Sequence, residues 1–417
     1  MLLLDLLEAV HERVVLGVGQ HGRIEDVVEM LVMAELVAQL LKLLVGLKGG
    51  RHSEDYRERR DMLDGMEPIT HLMTGACLAR AGFNRKAAYA TVAMTLAAEA
   101  PDLDTLWSMD GPIAGFQHHR GWTHTFLGLP VEAAVVVGAV WLVHRWRVRR
   151  SNVGSSAAGT QAPVRWGLLY CFALVALLSH LLLDWTNNYG LRPFFPFNPR
   201  WYAGSFVFIF EPVIFAVLLI ALVAPSLFGL INSEVGARKA AFRGRGWAIS
   251  ALVAIVALWG WRALEHEKAV QLALAGDYGG AQVLRVSVNP TPVNPFRWRA
   301  VVETQQTYQL AGVDTLNEAV TTNGQGDVFY KPQTTLATLV AKRSWLGEVY
   351  LDWSSWPLVT EIGTDAEGLT VVTFRDLRFM YDTPFMRGRE SPPLSGAAYV
   401  NDDRRVVRME MDGRVQR

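Results

Sequence analysis

Two segments set metal-binding side-chain types against strongly apolar chain: His119-Arg120-Gly121-Trp122-Thr123-His124 and His180-Leu181-Leu182-Leu183-Asp184. In the second, an i,i+4 spacing puts imidazole and carboxylate on one helical face. An ionisable group beside hydrocarbon costs several kcal/mol unless it is paired or bound, so its default reading is functional. Pro101-Asp102-Leu103-Asp104 adds two carboxylates two residues apart, where a newly started helix could aim both at one place. Each fits a helix cap as well as a ligand. Gly121 lies between His119 and His124 and would let the chain fold back around an ion. A hydrolytic metal centre needs three or more N/O ligands, room for water, and outer groups that fix each imidazole. His/Asp donors without thiolate favour zinc, with manganese as the alternative.

Neighbouring residues suggest further roles. Arg120 fits a bidentate clamp on phosphate or carboxylate and, equally, a headgroup anchor. Glu211, just before Pro212, could be a ligand, a general base, or a carboxyl kept neutral by burial. Asn187, Asn188, Tyr189 and Gly190 follow Asp184 as an exit turn, with Asn187 and Tyr189 as outer donors and His118 beside them in that role.

These residues need a scaffold, and its composition is that of a membrane protein. The 417 residues are 51% hydrophobic with zero formal net charge, so no global field argues for a nucleic-acid partner. Four strong spans are expected, about 126–143, 167–183, 206–224 and 247–264, each near the ~20 residues a bilayer requires. Two weaker apolar helices are expected over 69–80 and 87–98. The basic loops around His144–Arg150 and Arg238–Arg245 should stay cytoplasmic by the positive-inside rule. Asp102, Asp104, His118, His119, His124, His180 and Asp184 then fall toward the outer ends of their helices, with His71 on the same side.

Residues 1–65 form an amphipathic N-terminal extension of unassigned role, without a basic leader or cleavage site for secretion. Residues 66–264 are the multi-spanning helical domain, and 265–417 an extracytoplasmic, antiparallel β-rich soluble domain. The β expectation rests on period-two runs at Gln282–Val288, Trp298–Glu303, Glu348–Leu351 and Leu369–Phe374, separated by Gly, Pro, Asn and Asp. The two cysteines, Cys77 and Cys171, lie in apolar helical contexts and read as buried structural thiols.

Taken in order, several motifs carry a family resemblance. They are Thr70-His71, Pro101–Asp104, His119–His124, His180–Asp184 with Tyr189-Gly190 and Pro193–Phe197, Phe208–Pro212, and Asn294–Trp298. Together they resemble the membrane-bound metal-dependent hydrolases, the LexA-regulated, YdjM-like inner-membrane proteins. The resemblance runs from about Met66 into the C-terminal domain. It implies a multi-pass protein of the bacterial inner membrane that binds a divalent metal, and ligand status for His71, Asp102, Asp104, His119, His124, His180 and Asp184. The family commonly has Asp where this chain has Glu211, one methylene longer.

The expected activity is metal-dependent hydrolysis at the outer membrane face, on a lipid or phosphoester, with a spare carboxylate from Asp102, Asp104 or Glu211 taking the proton. The rival reading is a non-catalytic metal-binding or metal-transport protein. A transporter should carry polar groups through the bilayer depth, whereas Val135–Val143 and Ile214–Ala224 hold no ionisable side chain.

Overall fold

The protein is described by a computed structural model covering residues 66–150, 162–234, 244–322, 327–381 and 391–416. The N-terminal extension expected over 1–65 lies outside the described residues. The chain divides into two compact units. The first comprises the described parts of Met1–Pro101, Phe126–Asp184 and Ile209–Leu258; the second comprises Asp102–Thr125, Trp185–Phe208 and Trp259–Arg417. The units thus interleave along the chain.

The first unit is helical: α1 (Met66–Ala81), α2 (Ala90–Glu99), α4 (Leu129–Arg150), α5 (Trp166–Thr186), α6 (Pro212–Glu234) and the first part of α7 (Arg245–Ala275). The weakly apolar stretches expected over 69–80 and 87–98 are α1 and α2. They pack with small residues at the contact, as helices do where backbones must approach closely. A Cβ at Gly75 would sit 2.5 Å from the Met94 carbonyl oxygen and 2.7 Å from Ala98 Cβ. His71 stands one turn before this crossing. The Arg80 guanidinium donates to the Leu222 carbonyl at 2.7 Å, tying α1 to α6.

Helices α4, α5 and α7 are long and apolar enough to cross a membrane. The expected span 206–224 is helical only from Pro212, and its apolar stretch Pro212–Ser226 is shorter. Residues 206–211 instead form irregular chain, because Pro212 supplies the fixed φ that suits a first helical turn. Along α5, Leu169, Ala173, Ala176, Leu177, His180 and Asp184 are buried while Leu178, Leu182 and Trp185 are exposed. His180 and Asp184 therefore continue the inward stripe of an otherwise hydrocarbon helix. Cys77 is buried as expected, but Cys171 is exposed on α5 and both thiols are free. Its helical position, one residue off the inward stripe, turns it outward.

The second unit contains α3 (Pro112–His118), 3-10 segments over Ala100–Asp110 and Trp122–His124, and the C-terminal β region. Strands β1 (Arg285–Pro290), β2 (Arg297–Glu303), β3 (Thr307–Asp314) and β4 (Ala319–Thr322) form an antiparallel meander, with β5 (Val328–Tyr330) also pairing β3. A second antiparallel sheet runs in the order β10 (Arg414–Val415), β9 (Val406–Met411), β8 (Gly396–Val400), β7 (Thr370–Asp376), β6 (Pro357–Thr364). Val301 and Leu310 of the first sheet share a core with Trp356, Leu358 and Leu377. Helices α8 (Leu336–Lys342) and α9 (Trp345–Trp353) separate the sheets in sequence.

The run Glu348–Leu351, expected to be a strand, lies inside α9. Ser344 caps that helix by accepting from the Gly347 N–H, and the buried residues Leu346, Tyr350 and Trp353 recur at helical spacing. Four residues of alternation were too few to separate the two periods. The α-helical region followed by antiparallel sheets is otherwise the expected fold class.

Candidate metal centre

In the first unit, two imidazoles converge on one carboxylate. His71 Nε2 lies 3.4 Å from Asp184 Oδ1, and His180 Nε2 lies 3.3 Å from Asp184 Oδ2. The two rings stack with centroids 3.8 Å apart. All three residues are at most 3% exposed. The His180 Nδ1–H donates to the Ala98 carbonyl at 2.7 Å, which fixes the tautomer and leaves Nε2 facing the carboxylate.

The second unit carries a set built around Asp104. Its Oδ1 accepts from His119 Nδ1 at 3.1 Å, and its Oδ2 accepts from the Arg120 backbone N–H at 2.8 Å and the Thr123 hydroxyl at 3.1 Å. His124 Nδ1 stands 3.2 Å from Oδ2 and 3.0 Å from the Thr123 oxygen. With the Thr123 proton directed to Asp104, His124 Nδ1 must be the protonated nitrogen. Its Nε2 then faces Asp102 Oδ1 at 3.4 Å. Burial alone would raise the pKa of Asp104, but the charges and hydrogen bonds of His119 and His124 outweigh it and hold the carboxyl well below the usual range. Asp102, Asp104 and His119 form a group that could hold a metal ion, with one ligand atom from each lying within 4.8 Å of the others.

Local chain geometry explains how this loop closes. Pro101 opens the 3-10 run that carries both aspartates. Arg120 adopts φ 55°, a left-handed conformation that is sparse for non-glycine residues. A Cβ at Gly121 would lie 2.7 Å from the His118 carbonyl oxygen, so the turn between the histidines requires glycine there.

The donor set fits a divalent cation. His180 and His124 each spend Nδ1–H on a fixed acceptor and present Nε2 to a carboxylate oxygen. A lone pair against an anionic oxygen is repulsive without a proton or a metal ion between them. Protonating both stacked rings, His71 and His180, would bring two buried like charges together. A metal serves both sets without that penalty. A histidine whose second nitrogen donates to a carbonyl or carboxylate is also the usual arrangement around bound metals.

The side chains of the remaining expected residues lie outside the two donor sets, with Tyr189 packed edge-on against His119. Arg120 is buried, its guanidinium donating to Asn187 Oδ1 at 3.2 Å and the Gly190 carbonyl at 3.0 Å, with Tyr189 beneath it. Asn187 Oδ1 also accepts from the Tyr189 and Gly190 N–H groups, the turn expected there. His118 stacks on Trp107. Glu211 is buried at the start of α6, its carboxylate 3.5 Å from the Val213 N–H. Two contributors went unread in the sequence. The Thr123 hydroxyl had a positional signal, one residue before His124; the Ala98 carbonyl had none, because every residue carries one.

Residues 66–269 match the YdjM inner membrane protein family. The YdjM-matching region takes in every His and Asp of both sets and ends within α7, before the β region. Membrane association follows from this match together with the three apolar helices. The chain is also 26% identical over 165 residues to the uncharacterized protein YfhP of Bacillus subtilis (strain 168), covering 38% of this chain and 45% of that relative. It thus spans less than half of the curated relative's length. No solved structure matches the chain.

Proposed function

We propose that the protein is a metal-dependent hydrolase of the bacterial cytoplasmic (inner) membrane in which the His/Asp sets supply the ligands of a divalent metal. His71, His124 and His180 would ligate through Nε2, with Asp102 and Asp184 as carboxylate ligands. The observation that carries the reading is the paired orientation of His180 and His124, each with Nδ1–H committed and Nε2 directed at a carboxylate.

Asp104 and His119 take the orienting role in this reading, and Arg120 holds the loop rather than a substrate. Zinc is the proposed ion, with manganese the alternative. Bound there, it would supply Lewis acidity toward a phosphoryl or carbonyl oxygen and toward water. Glu211 is the proposed proton acceptor, buried and outside both ligand sets.

A lipid or other amphiphilic ester is the proposed substrate. The 3-10 run that turns Asp104 inward exposes Leu103 (61%), Leu106, Trp107 and Met109 (86%), the reverse of a water-facing segment. The proposed topology places the loops 102–125 and 185–208 and the β region outside the cytoplasm and the basic end of α4 inside. Membrane-impermeant labelling of single cysteines at Asn198 and Arg147 should give external and internal signals; the reverse pattern would invert it.

The functional test uses detergent-purified protein of measured metal content. It should cleave a phosphomonoester, phosphodiester, acyl ester or phospholipid in a chelator-sensitive way. Glu211→Gln should keep the metal and lose about 10²- to 10⁴-fold in turnover, the usual contribution of general-base catalysis. Stoichiometric metal without turnover on any of these substrates would favour the metal-binding or transport reading.

A further inference from the structure

The β region lies beyond the family match, which ends at residue 269, yet it reaches the metal-bearing loop through an unbroken chain of buried contacts. Arg378, next to β7, is 5% exposed and paired with Asp376, donating from Nε to Oδ1 at 3.0 Å and from Nη2 to Oδ2 at 2.8 Å. Its remaining arm, Nη1, donates to the Asn188 carbonyl at 2.7 Å. The Asn188 side-chain amide donates to the Tyr381 hydroxyl at 2.7 Å. The Trp353 indole N–H donates to the Tyr189 carbonyl at 3.3 Å. The exit turn 187–190 is therefore gripped from the β region at two successive carbonyls.

That turn in turn holds the loop. Asn187 Oδ1 and the Gly190 carbonyl accept from Arg120, whose own N–H donates to Asp104, the carboxylate orienting His119 and His124. A second grip acts on α3, which leads into His119. The Gln416 side chain accepts from the Ile113 N–H at 2.9 Å and donates to the Asp110 carbonyl at 2.8 Å. Trp345 donates to Gln117, and Phe116 packs on Tyr350 and Trp353.

We propose that the C-terminal β region is a positioning clamp for the metal-bearing loop, with Arg378 and Trp353 as positioning residues that act through the 187–190 turn and Arg120 on Asp104. The proposal rests on the metal reading above. Orienting groups of this kind change metal affinity because a ligand that must be ordered on binding binds more weakly. Arginine is required at 378, since a lysine ammonium cannot both chelate Asp376 and reach Asn188.

The test loads full-length protein in detergent with Co²⁺ and follows its visible spectrum and its affinity in competition with a chelator. Arg378→Lys and Trp353→Phe should each weaken Co²⁺ by roughly 10-fold and alter the ligand-field bands, which report coordination geometry. Arg408→Lys is the control. It loosens the β region at the half-buried Asp365 and exposed Glu367 pairs, away from the 187–190 turn, and should leave spectrum and affinity unchanged. If wild-type protein fails to bind Co²⁺, the metal reading falls and the clamp with it. If it binds, but the two variants match wild type, or Arg408→Lys weakens binding equally, the clamp is overturned while the metal reading stands. Trp353→Phe keeps an aromatic ring in the core and serves if Arg378→Lys does not fold.

Discussion

The helical His71/His180/Asp184 set and the loop Asp102/Asp104/His119/His124 set reach the same chemistry by different means. In the first, an i,i+4 spacing on α5 and the close α1–α2 crossing at Gly75 fix three side chains, with one backbone carbonyl completing the set. In the second, no regular helix aligns the donors. Asp104 gathers two imidazoles, a backbone N–H and a hydroxyl on irregular chain. A site built on helices draws its order from elements that form regardless of the site. A site built on a loop must be held in place from elsewhere, here by the exit turn and the β region.

Substitution should separate the two sets. The largest effect is expected from His180→Ala or Asp184→Asn, which remove a proposed ligand whose position the helix already sets. Elemental analysis should find most metal lost, beyond the roughly 100-fold that outer-sphere changes reach, with the protein still inserted. His124→Ala should match it. Retained metal in all three would remove the basis for the metal reading.

Asp104→Ala comes next. It frees His119 and His124 without deleting a donor from the helical set, and affinity should fall about 10- to 100-fold. A loss as complete as that of Asp184→Asn would make Asp104 a direct ligand.

Acid should expose the loop's dependence on the β region. Burial would raise the Asp376 value, but the Arg378 guanidinium and its hydrogen bonds hold it below the usual carboxylate range. A depressed folded-state value stabilises fully above the unfolded value of about 3.9, and that contribution is lost as pH falls through the lower, folded value. Arg378→Lys weakens the depression, so tryptophan fluorescence should report loss of the second unit's packing at higher pH than in wild type. An unchanged acid midpoint would show that the pair adds nothing to it.

The smallest effect is expected for Thr123→Ala. One hydroxyl donating to a carboxylate contributes about 1.5–3 kcal/mol, and only part of that reaches the metal ligands, so affinity should drop less than for Asp104→Ala.

Much of this was legible in the sequence because it depends on local spacing. Hydrophobic runs of bilayer length gave α4, α5 and α7, alternation gave β1, β2 and β7, and the i,i+4 rule placed His180 with Asp184. The ligand types, and glycine at 121, could be read from chemistry alone. Tertiary structure decided what spacing does not encode: that Asp104 gathers its neighbours, that Arg120 is spent on Asn187 and Gly190, and that Glu348–Leu351 is helical. It also decided that Arg378 and Gln416, hundreds of residues further along, grip the chain around the loop. The physical reason is that helical and strand periods are properties of neighbouring residues, whereas a buried polar group takes whichever partner the fold brings within hydrogen-bond reach.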